Sequence, residues 1–282
     1  METGPGILRS RLADSSCSWQ IKTAMKYASC QFLKEQNRLA IQLRARVYPE
    51  LHVFNLCKSM SESTHIHRFD FVSLGESMLR LSVPTGRRLD DTRMLDMELA
   101  GAESNVSVAL ARLGWRVGWV SRMPDHALSN AILRALRSDG VDISAVRRVP
   151  DERLGTYFIE YATSPRSTQV IYDRSNSAAS HMTLADIDWN YLLDTRVLHL
   201  TGITAALSEN CYSLLVEAIR RAHAAGVMVS FDVNYRARLW AADIAGEKLR
   251  PLIQDADILF CKGADAQALF GCHGEPQELM MK

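Results

Sequence analysis

Five short apolar runs decide what this chain can fold into. Residues 69–74, 117–120, 197–200, 227–231 and 258–260 are apolar almost throughout rather than alternating in polarity. Side chains alternate between the faces of a strand, so a continuous run means that both faces are buried. Helical patterns fall between the runs. Residues 100–114 place Val106, Ala109, Leu110 and Leu113 at helical spacing before Gly114, and residues 128–136 form a second helix closed by Gly140. Thr183 and Asp186 have capping-box spacing for a helix through Leu193. Ser208 caps a helix bearing Leu214, Leu215, Ala218, Ile219 and Ala222, ended by Gly226, and further helices are expected over 242–253 and 264–270. Strands alternating with helices predict an α/β fold with a mostly parallel sheet covered on both faces. Residues 155–161 and 169–172 read as two more strands, joined by a turn at Ser164 and Pro165, in a hairpin outside that sheet.

At 282 residues and 47% hydrophobic content the chain can bury a large core, which fits one main domain plus an appendage. The net charge of +1 argues against a nucleic acid or other polyanionic partner. The charge is unevenly spread: residues 1–67 hold 9 Lys/Arg against 5 Asp/Glu, leaving 24 against 27 for residues 68–282. The basic segment shows weak periodicity and is read as an extension, open to disorder and with no assigned function. Its stretch 20–47 allows a transit peptide or surface helix, whereas Met60 reads as a start preceded by translated upstream sequence. Cys17, Cys30, Cys57, Cys211, Cys261 and Cys272 form no CxxC and no zinc spacing, which predicts a reduced, cytoplasmic protein. The pairs His65/His67 and Cys272/His273 are too small to hold a metal. No apolar run is long enough to span a bilayer and no secretory signal opens the chain.

Ligands of parallel sheets bind beyond the carboxyl ends of the strands. Glu76, Gly101 and residues 232–236 fall at that edge. Gly101 permits close approach of backbone to ligand, although a tight connection alone would also explain it. Asn105 in the following helical turn offers both a donor and an acceptor to vicinal hydroxyls. Asn234 and Arg236 alternate along a segment expected to be extended, so both can face one cleft, where Arg236 suits a carboxylate or phosphate. No GxGxxG follows a strand and no GxxxxGK[ST] occurs, which excludes the usual dinucleotide and P-loop sites.

Taken in order, LGESMLRL (74–81), AGAESNVSVALARLG (100–114), GTYFIE (155–160), IYDRSNSAAS (171–180), SFDVNYRARLW (230–240), DILF (257–260) and ALFG (268–271) resemble a ribokinase-like carbohydrate kinase of the PfkB family, most of all its 2-keto-3-deoxygluconate kinase branch. The resemblance runs from about Phe69 onward. It implies a ribokinase-like three-layer sandwich with a small β lid (strands within about 78–99 and 155–173), ATP and Mg²⁺, and phosphorylation of a sugar hydroxyl. Carried over, Gly101, Ala102, Glu103 and Asn105 line the sugar site, and Tyr157 and Tyr172 reach it from the lid. Arg174 and Arg236 address a substrate carboxylate, and Asn234 lies toward the nucleotide phosphates. Lys262 and Asp265 occupy the positions where the family organises nucleotide and Mg²⁺. Two arginines about one acid group favour a small sugar acid over fructose. The resemblance also allows a homodimer through the lid.

The chain departs from the pattern in three places. Pro124 stands where the family has Gly, and Lys262 and Asp265 replace Asn and Glu. The glycine-alanine-glycine-aspartate loop, which would supply the catalytic base, is not found before Lys282. The expectation is a C-terminally truncated kinase, inactive or nearly so and poorly soluble where core faces are uncovered. The alternatives are a fructokinase or other neutral-sugar kinase of the family, or a non-catalytic sugar-binding remnant.

Overall fold

A computed structural model describes residues 66–162 and 166–272. The expected turn at Ser164 and Pro165, His65, His273 and nearly all of the basic N-terminal segment lie outside them.

The central sheet has the order β12-β11-β10-β1-β4-β6, from Ile258–Phe260, Met228–Asp232, Thr195–Thr201, Phe69–Leu74, Val117–Val120 and Val141–Asp142, with every pairing parallel. Side chains of adjacent residues leave it on opposite faces. Val72, Leu74, Val120, Leu198, Leu200, Val229 and Phe231 pack into one core with the helices α3 (Trp189–Leu193), α5 (Glu209–Ala224) and α6 (Ala242–Gln254). Phe71, Val117 and Trp119 face the other way, against α2 (Ala127–Ser138), beside α1 (Ala102–Arg112). That second face carries a buried polar strip. Ser73 Oγ meets Ser107 Oγ at 2.8 Å, and His199 Nδ1 meets Ser230 Oγ at 3.0 Å. The His199 ring is 4% exposed and stacks on Phe71 with centroids 5.5 Å apart; burial pushes its pKa down to about 4.

A separate four-stranded sheet forms the lid, in the order β3-β2-β8-β9, from Asp96–Ala100, Met78–Ser82, Thr156–Glu160 and Gln169–Asp173. β2 pairs antiparallel with β3 and parallel with β8, and β8 pairs antiparallel with β9. Short β5 (Arg122–Pro124) pairs with β7 (Arg147–Val149). Pro124, whose ring lacks a donor, sits buried in this two-stranded pair rather than in the central sheet.

One expected helix is divided. The Thr183/Asp186 capping box is formed, but it heads only a 3₁₀ turn at Leu184–Asp186. Asp188 then accepts from the Tyr191 amide at 3.1 Å and starts the separate helix α3. Two successive N-caps, Thr183 and Asp188, divide the same stretch, and the second starts the helix that brings Tyr191 and Leu192 into the core. A 3₁₀ turn at Ala178–His181, a one-turn helix α4 (Gly202–Ala205) and the final helix α7 (Gly263–Phe270) complete the described elements. No described helix is long and apolar enough to cross a membrane.

Candidate active site

Because the six strands run in parallel, their carboxyl ends share one edge, and the chain enters the lid there through residues 75–77. Gly101, the N-cap of α1, is pressed against this link: a Cβ on it would lie 2.4 Å from the Glu76 carbonyl oxygen and 3.0 Å from the Ser77 Cα. Both obstacles are backbone, so the position accepts glycine alone. Ala102 is half-buried beside it, and Asn105 is exposed in the first turn of α1.

Glu103 departs from the expectation that it lines the sugar site. Its side chain turns inward and is fully buried, with Oε1 accepting from Thr201 Oγ1 at 2.7 Å and Thr204 Oγ1 at 2.6 Å. The carboxyl fills the space left by the missing side chain of Gly75, where a Cβ would sit 2.2 Å from Glu103 Cδ. Burial raises its pKa, while the two threonine hydroxyls and the nearby Arg174 act in the opposite sense. Oε2 is buried with no hydrogen-bond partner. Glu103 therefore ties α1 to the end of β10 from below the site.

The lid contributes Tyr157 and Tyr172, directly opposed across β8 and β9 with ring centroids 5.4 Å apart. Burial also raises the Tyr157 hydroxyl pKa. Arg174 follows the end of β9 and forms an ion pair from Nη2 to Glu76 Oε2. Ser177 Oγ donates to Glu76 Oε1 at 2.5 Å.

The segment after β11 is not extended. Asp232 Oδ1 accepts from the Asn234 amide at 3.1 Å, and Asn234 adopts φ of 40°, a left-handed conformation that asparagine tolerates. The simple alternation of Asn234 and Arg236 therefore fails, since the Asx turn ends in a left-handed Asn234 that redirects the chain before Arg236. Burial raises the Asp232 pKa; the Asn234 amide, Lys262 and Arg236 oppose the shift and Asp265 reinforces it. Asp232, Asn234, Arg236, Lys262 and Asp265 thus share one electrostatic neighbourhood. Lys262 is the exposed N-cap of α7, and Asp265 lies in that helix's first turn with Oδ2 buried and unpartnered. Among the described residues no three His, Cys, Asp or Glu stand together as a metal cluster.

Arg238, which the sequence reading passed over, joins these two groups. Its Nη1 donates to the Val170 carbonyl of β9 at 2.8 Å, and its guanidinium lies 5.7 Å from the Tyr172 ring centroid. The spacing Arg236-x-Arg238 was the available signal. The sequence places Glu76 at the sheet edge, and nothing around it announces Arg174 as its partner.

A parallel sheet of this order, with a four-stranded lid attached at its ligand edge, defines the ribokinase-like class of sugar kinases. The pfkB family carbohydrate kinase model matches residues 69–282, and the chain belongs to that family. A 2-dehydro-3-deoxygalactonokinase of Haloferax volcanii is 37% identical over 210 residues, covering 74% of this chain and 66% of the relative. A 2-dehydro-3-deoxygluconokinase of Bacillus subtilis is 38% identical over 173 residues, covering 61% and 53%. The crystal structure of 2-dehydro-3-deoxygluconokinase from Thermotoga maritima superimposes with a TM-score of 0.70 at 36% identity, covering 73% of this chain and 63% of that one. The chain thus spans about half to two thirds of the length of these relatives.

Proposed function

We propose that the protein serves phosphoryl transfer from ATP to a hydroxyl of a small sugar acid of the 2-keto-3-deoxygluconate type. The Arg238 to Val170 bond carries this reading. It brings the segment bearing Arg236 and Arg238 against the lid strand at Val170, two residues before Tyr172 and four before Arg174, so arginines approach from both sides of one contact. Arginine presents donors in a fork matched to a carboxylate, which a neutral sugar does not require. The names of the relatives at 37% and 38% identity support the same substrate class. Gly101, Ala102 and Asn105 border the sugar, Tyr157 and Tyr172 cover it from the lid, and Glu103 holds α1 in place beneath.

The donor set at the other end fits a metal-bound nucleotide. Asn234 and Lys262 suit phosphate oxygens, and Asp265 has an unpartnered carboxylate oxygen for a cation. Magnesium is commonly held by one or two carboxylates together with phosphates and water. When bound, Mg²⁺ neutralises charge on the transferring phosphoryl group. Among the described residues none is assigned as the base for the sugar hydroxyl. Pairing of two copies through the lid belongs to the same proposal, supported by the exposed Met97 and Ile171, which lie in one cross-strand row. So does a cytoplasmic location, supported by the unpaired Cys211, Cys261 and Cys272.

Calorimetric titration with 2-keto-3-deoxygluconate and with fructose tests the reading, followed by assay of ADP release with each sugar. Binding of the acid alone and acid-dependent ADP release are expected. Equal or stronger binding of fructose overturns the substrate class, and acid binding without any nucleotide binding reduces the protein to a sugar-binding one.

A further inference from the structure

Every crossing between sheet and lid meets at one buried residue, Glu76. The chain enters the lid through residues 75–77, leaves it at Gly101, returns at Gly155 and leaves again at Arg174. Glu76 contacts each of the other three crossings. A Cβ on Gly101 would lie 2.4 Å from its carbonyl oxygen, and one on Gly155 would lie 2.7 Å from its Oε1 and 3.4 Å from the Arg174 Cβ. Its Oε1 accepts from Ser177 Oγ at 2.5 Å, and its Oε2 pairs with Arg174 Nη2. The side chains of Glu76 and Arg174 are only 1% and 10% exposed, and Arg174 Nε is buried with no hydrogen-bond partner.

A guanidinium buried to this degree needs a counter-charge whether or not substrate is present. Glu76 supplies it. Arg174 then presents a ligand with a guanidinium already neutralised rather than a net positive charge, and an incoming carboxylate must share it with the resident one. We propose that Glu76 is the resident counterion of Arg174 and sets how strongly the site prefers an acid to a neutral sugar. The inference rests on the sugar-acid reading above and adds the positioning residue that tunes it. Glu76 acts through Arg174; net attraction for the acid falls to Arg236 and Arg238.

Glu76→Gln keeps the size of the side chain and an acceptor for Ser177 while removing the charge. The acid then competes only with the buried Glu103 for the charge of Arg174. Affinity for 2-keto-3-deoxygluconate is expected to rise by roughly tenfold relative to that for fructose, the scale of one charge-assisted hydrogen bond. A merely structural role would weaken both sugars together, so an unchanged or reduced ratio overturns the proposal. Should that variant fail to fold, Glu76→Asp, which keeps the charge but draws it back by one methylene, is expected to shift the ratio in the same direction by less, and no shift overturns it. The wild-type titration judges the sugar-acid reading by itself. If the wild type binds no acid, thermal melts of Glu76→Gln, Arg174→Met and the double variant decide the counterion role. The double variant should melt above Glu76→Gln, because the orphaned cation is gone; a double variant melting at or below it overturns the proposal.

Discussion

Arg238 and Val170 are 68 positions apart in sequence, yet the arginine Nη1 donates to the valine carbonyl at 2.8 Å and closes the space between the segment after β11 and the lid. Arg238→Ala removes this latch together with the stacking on Tyr172. Sugar-acid affinity should fall about tenfold, the usual scale for a hydrogen bond from a charged group, while the global melting temperature stays nearly unchanged because the side chain is exposed. Calorimetry and thermal melts check the two halves, and faster amide exchange in β9 should accompany them. A large drop in melting temperature with unaltered affinity would contradict the latch.

Gly101→Ala should be disproportionately damaging for one methyl group. The added carbon meets the Glu76 carbonyl oxygen at 2.4 Å, and overpacking against backbone costs about 1–3 kcal/mol. Denaturant melts should show that loss, and sugar binding should weaken because α1 is displaced from the edge of the site.

His199 makes the protein acid-sensitive through burial. Its folded pKa is pushed down to about 4 from 6.5, so between these values the unfolded chain binds a proton that the folded one refuses. Stability from this group is present above pH 6.5 and is lost as the pH falls toward 4, by up to about 3 kcal/mol. His199→Gln should flatten the dependence of melting temperature on pH across that window. An identical slope in the variant would refute the assignment.

Glu103 has the opposite dependence. Its raised folded pKa means that the folded chain holds a proton more tightly than the unfolded one above the ordinary value of 4.5. Its stabilising contribution is fully present below that value and declines as pH rises. Glu103→Gln, which cannot ionise, should therefore gain stability relative to wild type as the pH is raised from 5 to 8, measured as the difference between the two melting curves. A constant difference would argue against the burial effect.

The sequence displays the main sheet because its strands are buried on both faces: Phe69–Leu74 and Val117–Val120 can be read without knowledge of their neighbours. Helix α5 is equally legible, with Ser208 capping one end and Gly226 at positive φ past the other. Legibility ends where the outcome depends on a competitor. Thr183 and Asp188 contend as N-caps ahead of Leu193, and an Asx turn at Asp232 overrides the period of two through Asn234 and Arg236. The site divides in the same way. Gly101, Tyr172 and Arg174 stand out in local motifs, whereas the inward turn of Glu103 depends on Gly75 and Thr201 and the reach of Arg238 depends on the position of β9. Such pairings across 28 to 98 positions leave no periodic trace in a single chain.

The gathering of all lid crossings around Glu76 has a mechanical consequence. The lid is pivoted at Glu76 and latched again by Arg238 on β9, so changes of length or composition around residues 83–95, away from both ties, should disturb the sugar-facing residues less than changes at either tie. Variation between enzymes of differing substrate preference should accordingly accumulate at the pivot, and variation without functional effect at the free margin.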